Sequence, residues 1–371
     1  MTNESSPNRF DAWFQDDGPA ALVLREPLQP VSGDGSAIFP PTYAPEQGSA
    51  SKKSEYVIDQ LKDGQSICQI DSVGSQGNRM EPLFKSAPYD TLVPQVTIVA
   101  GDQKVSLLDA GHRAADAIVR FSDLQPQFEA AFTALLAGDA STLARLAPTS
   151  LVFGVWDSRG TMAKAPRIVA STIRASDVEV IHRSAQYIPP VEYTAEILGE
   201  AASLTDDQKS QEGLTHVPSS NVLGGVLVKG EIRREATLNL VALRTLGVPK
   251  GGDTLDAEAT TTLRRYILGL ALVTLTKPMS YDLRQGCLLV GVEEKPATWH
   301  LVHPSGKREP FAVSHEDALA YAKAAAVGFG VNGNPITGHF EAKLVKQATE
   351  EKAQEKAAKQ ARSRAAKGGT R

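Results

Sequence analysis

Only two cysteines occur in the chain, Cys68 and Cys287, far apart and in no Cys-x-x-Cys pair. That excludes a disulfide framework and a cysteine-built metal site, and reads as two reduced, partly buried thiols. No run of eighteen apolar residues exists, so no membrane-spanning helix is expected. The N-terminal stretch MTNESSPNRFDAWF has neither a basic nor an apolar signal region, so it does not read as a secretory leader. A reducing cytoplasm is the expected setting. Catalytic motifs are missing as well. Ser305-Gly306-Lys307 lacks the leading glycine of a phosphate loop, GFGVNG at 328–333 follows a helical pattern rather than a strand, and GSQG at 74–77 is no nucleophile elbow. The seven histidines are scattered, and His300 and His303 would face opposite ways on a strand. Asp102, Asp109 and Asp157 are single acids. No catalytic set, cofactor or metal is therefore expected.

What is present fits a folded protein of one large domain with insertions, or of two domains. The chain has 371 residues, 42% of them hydrophobic and 22% charged. The net charge of −4 hides an asymmetry. From Lys343 to Arg371 nine Lys/Arg face three Glu, a net of +6, so the rest carries −10. Strand patterns appear at 20–29, 91–100, 150–156, 178–188, 224–243 and 287–303. Helical spacing appears at 110–147, 254–275 and 314–330, the last capped by Ser314 with Asp317 in its first turn. Residues 1–18 read as a short helix or arm, 165–175 as a helix after Pro166, and 199–221 as a polar loop. Residues 29–54 are a Pro/Gly/Ser-rich loop in which IFPPTYA is expected to pack on something. Without regular βαβ alternation the reading is α+β: an antiparallel sheet with helices on one side.

Four basic or polar segments stand out. SVGSQGNRMEP places Ser75, Gln76, Asn78 and Arg79 beside two glycines at an expected helix start, where backbone N–H groups suit an anion. AGHRAAD offers His112 and Arg113. WDSRGTMAKAPR offers Arg159, Lys164 and Arg167. KGEIRRE offers Arg233, with alternation sending Lys229, Glu231 and Arg233 to one strand face. Each is also what an ordinary capped helix or solvated face would show. Together, in an acidic protein without a catalytic set, they point to an extended polyanion. Few aromatics lie among them, so backbone gripping is better supported than base stacking.

IFPPTYA (38–44), IDSVGSQGNRMEPLF (70–84) and SRGTMAKAPRIVASTIRA (158–175) together resemble the backbone subunit of the type I-G (formerly I-U) CRISPR Cascade, a member of the RAMP superfamily. The likeness runs in order of blocks from about 10 to 330. It implies an RRM-like (ferredoxin-like) palm over 1–340 with inserted fingers and thumb, and leaves 341–371 as a basic tail, helical or disordered. It also implies a non-catalytic subunit that polymerises along CRISPR RNA and presents the guide to target DNA. The implied partners are the guide, copies of itself, capping Cascade subunits and a helicase-nuclease. Residues 178–221, or the loop at 29–54, would be the thumb. The alternative is a RAMP-type, metal-dependent endoribonuclease cutting target RNA, for which Asp157 would be the acid.

Overall fold

Apolar residues in strict alternation build the centre of the molecule. The computed structural model describes residues 8–44, 55–252, 254–331, 333–350 and 354. In it Ile232–Asn239, Val169–Ser176 and Ala21–Pro30 bury Ile232, Ala236 and Leu238, Val169, Ile173 and Ala175, and Leu22, Leu24 and Leu28 on one face. A period of two puts every second side chain there. These strands belong to a nine-stranded sheet, ordered Tyr281–Arg284, Cys287–Gly291, Ala21–Pro30, Ile232–Asn239, Val169–Ser176, Ser66–Asp71, Ile58–Gln60. Thr298–Val302 and Arg308–Pro310 extend it beside the first half of Ala21–Pro30. Each pairing in this sheet is antiparallel. Ala21–Pro30 changes partner midway, facing Thr298–Val302 with Ala21–Arg25 and Cys287–Gly291 with Leu28–Pro30. Pro27, which has no N–H to give, falls in the gap between the two.

Leu22, Leu24 and Leu238 of the buried face join one core with the helix Ala257–Thr276, which is apolar almost all round and is laid against His315–Phe329, while Leu28, Ile173, Ala175 and Ile232 belong to a second, smaller cluster with Cys68 and Cys287. Gln125–Leu136, Ser141–Leu146 and Pro148–Phe153 add to the same core. Against Gln95–Ala100, the strand Pro335–His339 runs parallel and Gln103–Ser106 antiparallel, as a small side sheet. The other face of the large sheet stays open, with Arg25 and Arg174 exposed. This is an α+β fold with a large antiparallel sheet, consistent with an RRM-like palm carrying insertions. One insertion is the long hairpin Val178–Tyr187 and Val217–Val228, whose connection holds the short helices Ala195–Leu198 and Asp206–Gln211. Its root is fixed by Ile38 of IFPPTYA, buried and paired in both directions with Val226.

Several expectations meet corrections here. Residues 165–175 form no helix: Val169–Ser176 is a central strand, its side chains alternating in burial through Ile173 and Ala175. β-branched Val169, Thr172 and Ile173 in a period of two outweighed Pro166 as a helix starter. Residues 150–156 are not a strand. Pro148–Phe153 is a helix with all six residues buried, and only Val155–Trp156 is extended. A short, fully buried apolar run carries no period that separates the two states. The polar stretch 199–221 is part helix and part strand rather than loop. Residues 224–243 are not one strand: Val217–Val228 pairs with Val178–Tyr187, and Ile232–Asn239 with two strands of the large sheet. At the N-terminus the short helix is a single 3-10 turn, Asp11–Phe14. The expected strands at 91–100 and 178–188 and helices at 254–275 and 314–330 are present, and Ser314 Oγ accepts from the Asp317 N–H at 3.0 Å. Both cysteines are free and buried. No helix among the described residues is long and apolar enough to cross a membrane. Of the basic tail, residues 342–350 are helical; those beyond 350, apart from Gln354, lie outside the described residues.

Candidate nucleic-acid interface

Ser72 starts the helix Val73–Met80, its Oγ accepting from the Ser75 N–H at 3.2 Å. The helix has two working sides. On one, Gln76 is fully buried. Its amide donates to Asp71 Oδ2 at 2.7 Å, and its carbonyl accepts from Ser171 Oγ at 2.9 Å. Arg234, also buried, donates to Ser171 Oγ (3.1 Å), to Glu26 (3.2 Å) and to the Tyr281 hydroxyl (3.2 Å). Arg79 donates to Asp71 at 3.1 Å and to the Leu283 carbonyl at 2.6 Å. These groups form a connected polar network within the core, as buried charge requires.

On the other side the helix meets Arg113. Gly77 makes this possible: a Cβ there would stand 3.1 Å from Arg113 Nη2. Arg113 is buried, and its backbone holds φ at +53°, an uncommon region for a side-chain-bearing residue. The guanidinium pairs with buried Glu81 at 2.8 Å and donates to the Gly154 carbonyl and to Asn78 Oδ1, each at 3.4 Å. It also lies over the Phe153 ring, 5.3 Å from its centroid. Burial pushes the Glu81 carboxyl up to about 7, against the pull of Arg113, and lowers Arg113 itself.

Around this hub lies an exposed rim. Asn78 and His112 are exposed, and Arg167 is close enough for its charge to bear on Arg113. Arg167 packs on Gly154, where φ is +83° and a Cβ would come within 2.7 Å of Arg167 Cγ. Between them runs the connector 157–163. Asp157 folds it: Oδ2 accepts from the Thr161 N–H at 2.6 Å and from its hydroxyl at 2.9 Å. Beyond it Lys164 stands 5.7 Å from the centroid of the exposed Trp156 ring. Arg159, Lys164 and Arg167 are exposed, and none pairs with an acid among the described residues.

Three of the four segments thus converge. Asn78, His112 and Arg167 share the rim, Arg159 and Lys164 extend it, and half-buried Ser75 lies one turn before Asn78. Gln76 and Arg113, expected as ligand contacts, are turned inward and occupied by protein groups. Arg233 is elsewhere, on the open face of the sheet, held between Glu231 (3.0 Å) and Glu235 (3.1 Å). Lys229 does not share its strand face: it sits in the turn and pairs with Glu179 at 2.7 Å. The connector 157–163 joins the short, paired strands Val155–Trp156 and Lys164–Ala165, with the helix Pro148–Phe153 before them and the strand Val169–Ser176 after. Glu81, Asp71, Arg234 and Trp156 escaped the sequence reading. Glu81 had one signal, an acid inside the apolar run Met80-Glu81-Pro82-Leu83-Phe84. Among the described residues no three His, Cys, Asp or Glu side chains gather as a metal site.

The sheet, the capped helix laid on it and the hairpin rooted beside it are consistent with an RRM-like palm carrying insertions. Residues 22–180 match the family described as CRISPR-associated protein GSU0053. This likeness supports a CRISPR-associated subunit of RAMP type, and a type I-G/I-U placement is compatible with it. The match covers a little under half of the chain and contains all three blocks at 38–44, 70–84 and 158–175. No curated protein matches the chain significantly.

Proposed function

We propose that this protein is the CRISPR-RNA-binding backbone subunit of a type I Cascade, gripping the guide's sugar-phosphate chain and presenting its bases to target DNA. The observation that carries the reading is the set of three exposed, acid-free cations, Arg159, Lys164 and Arg167, around the Arg113 hub. A polyanion is attracted by unpaired charge, not by cations already neutralised. Asn78, Ser75 and His112 add further donors of the kind that bind phosphate and sugar. In this reading the hairpin 178–228 is the thumb. It is mostly exposed and displays Tyr187, Ile188, Val191 and Ile197 to solvent, apolar groups that a neighbouring copy would cover. Asp157, the acid of the endoribonuclease alternative, is engaged in holding its own loop.

The test is the Lys164→Ala/Arg167→Ala double variant, titrated against single-stranded CRISPR RNA over a range of salt. Each lost phosphate contact should reduce the log–log salt slope by about 0.7. An unchanged affinity and slope would overturn the site. Mass measured on co-expression with CRISPR RNA should step with RNA length; a fixed small oligomer refutes the filament. Magnesium-dependent cleavage of complementary RNA would establish the enzymatic alternative.

A further inference from the structure

A groove of about 560 Å³ opens beside the connector. Its wall includes Phe121, with the Arg120 guanidinium 4.5 Å from the ring centroid, and the almost fully buried Phe128 and Phe132. Asp157 and Arg159 of the connector line it as well. Leu344 and Ala348 of the C-terminal helix 342–350 complete the lining. We propose that this groove binds one unstacked nucleobase of a single-stranded nucleic acid, with the adjoining phosphate on Arg159. This rests on the rim being the nucleic-acid interface.

Three features favour that occupant. The volume is in the range of small-molecule sites, about 300–1,000 Å³, and well above a single heterocycle. The lining combines aromatic rings with two cations, Arg120 and Arg159, and two acids, Glu129 and Asp157. A bare phosphate would meet both carboxylates, and an apolar peptide segment would cover the two cations without supplying partners. A nucleotide suits both halves: a π-face for the phenylalanines, ring N–H and amino donors for the carboxylates, and a phosphate for Arg159. Finally, Arg159 belongs to both surfaces, so a strand lying on the rim passes the mouth of the groove. The aromatic residues come from 121–132, a segment without the basic character of the rim, which is why the two surfaces look unrelated in the sequence.

The test uses the full chain, a single-stranded RNA and a strand of equal length made of abasic units. Phe121→Ala removes the stacking wall. Ala348→Phe fills the groove from the surface helix and leaves the Phe121 wall and every cation in place. Both should weaken RNA binding about tenfold, with the salt slope and the affinity for the abasic strand unchanged. Photocrosslinking with 5-iodouridine RNA should label the peptide containing Phe121. Labelling confined to Trp156 or His112, with Ala348→Phe binding RNA like the wild type, overturns the groove and leaves the rim standing. If wild type binds neither strand, the rim reading and the groove fall together.

Discussion

Replacing Arg113 with methionine separates the hub from the rim. The stem and much of the volume remain while the charge is lost. The side chains of Glu81 and Arg113 are 2% and 6% exposed, so Glu81 would be left buried without its counter-ion. The consequence depends on pH in a way that can be worked out. Burial raises the Glu81 carboxyl from an ordinary 4.5 to about 7. A carboxyl with a raised value stabilises the fold fully below about 4.5 and loses that contribution as pH rises towards 7. The loss is worth 1.36 kcal/mol per unit. In the wild type it stops near 7, because Arg113 then accommodates the ionised form. In Arg113→Met only the Thr149 hydroxyl remains to do so, so Glu81 holds its proton to higher pH and the loss continues. The two stability curves should therefore run parallel between pH 5 and 7, offset by lost hydrogen bonds to Asn78 and Gly154 worth about 1 kcal/mol each. Above pH 7 they should separate by up to about 1.4 kcal/mol per unit, or roughly 2.7 kcal/mol at pH 9. Denaturant titrations at pH 5.5, 7 and 9 measure this. A constant offset across that range would refute the account of Glu81 as the buried acid held by Arg113.

Two other substitutions test the connector. Gly154→Ala places a Cβ 2.7 Å from Arg167 Cγ on a backbone with φ near +83°. It should cost about 1–3 kcal/mol in thermal stability and weaken RNA binding more than its stability loss explains. Asp157→Ala should loosen the loop, lower RNA affinity severalfold and show up as faster proteolysis at 157–163. Asp157→Asn, which keeps an acceptor for Thr161, should retain most of the affinity. A metal-binding catalytic acid would instead make the two variants equally inactive in magnesium-dependent cleavage.

The capped helix at 73–80 was legible because its signals are local: Ser72 at the cap, glycines where another chain segment approaches, small polar residues between. The α+β class was legible from mixed periods. The strand at Val169–Ser176 carried a visible alternation that Pro166 and small residues obscured. The hub could not be read at all. Glu81, Arg113 and Phe153 lie in three separate segments, and each looks ordinary in its own. Arg113 and Arg167 are indistinguishable as letters; only the packing of Phe153 and Gly77 decides which is buried. The same limit applies to Gln76, whose neighbours Ser171 and Arg234 come from strands far along the chain.

Charge pairing is the reason for proposing the rim, rather than the open sheet, as the place for a polyanion. The sheet face carries Arg25, Arg174 and Arg233; Arg174 has no acid partner among the described residues, but Glu235 is shared between Arg25 and Arg233 (3.5 and 3.1 Å), and Glu231 takes a second contact from Arg233. A phosphate approaching Arg233 must displace or outbid two carboxylates in a region they make locally acidic, so the Coulomb gain is largely cancelled. On the connector the cations have no such competitors, and the acid nearest them, Asp157, already accepts from Thr161. Geometry adds to this. Arg113 fixes Asn78, Gly154 and the neighbourhood of Arg167 relative to one another through a buried group. The rim is therefore held in shape before any ligand arrives, and binding need not order it. The same arrangement separates two kinds of variant. Losses at Lys164 or Arg167 should change the salt dependence of binding with the fold intact, whereas losses at Arg113 or Glu81 should change stability first and binding only through the rim they support.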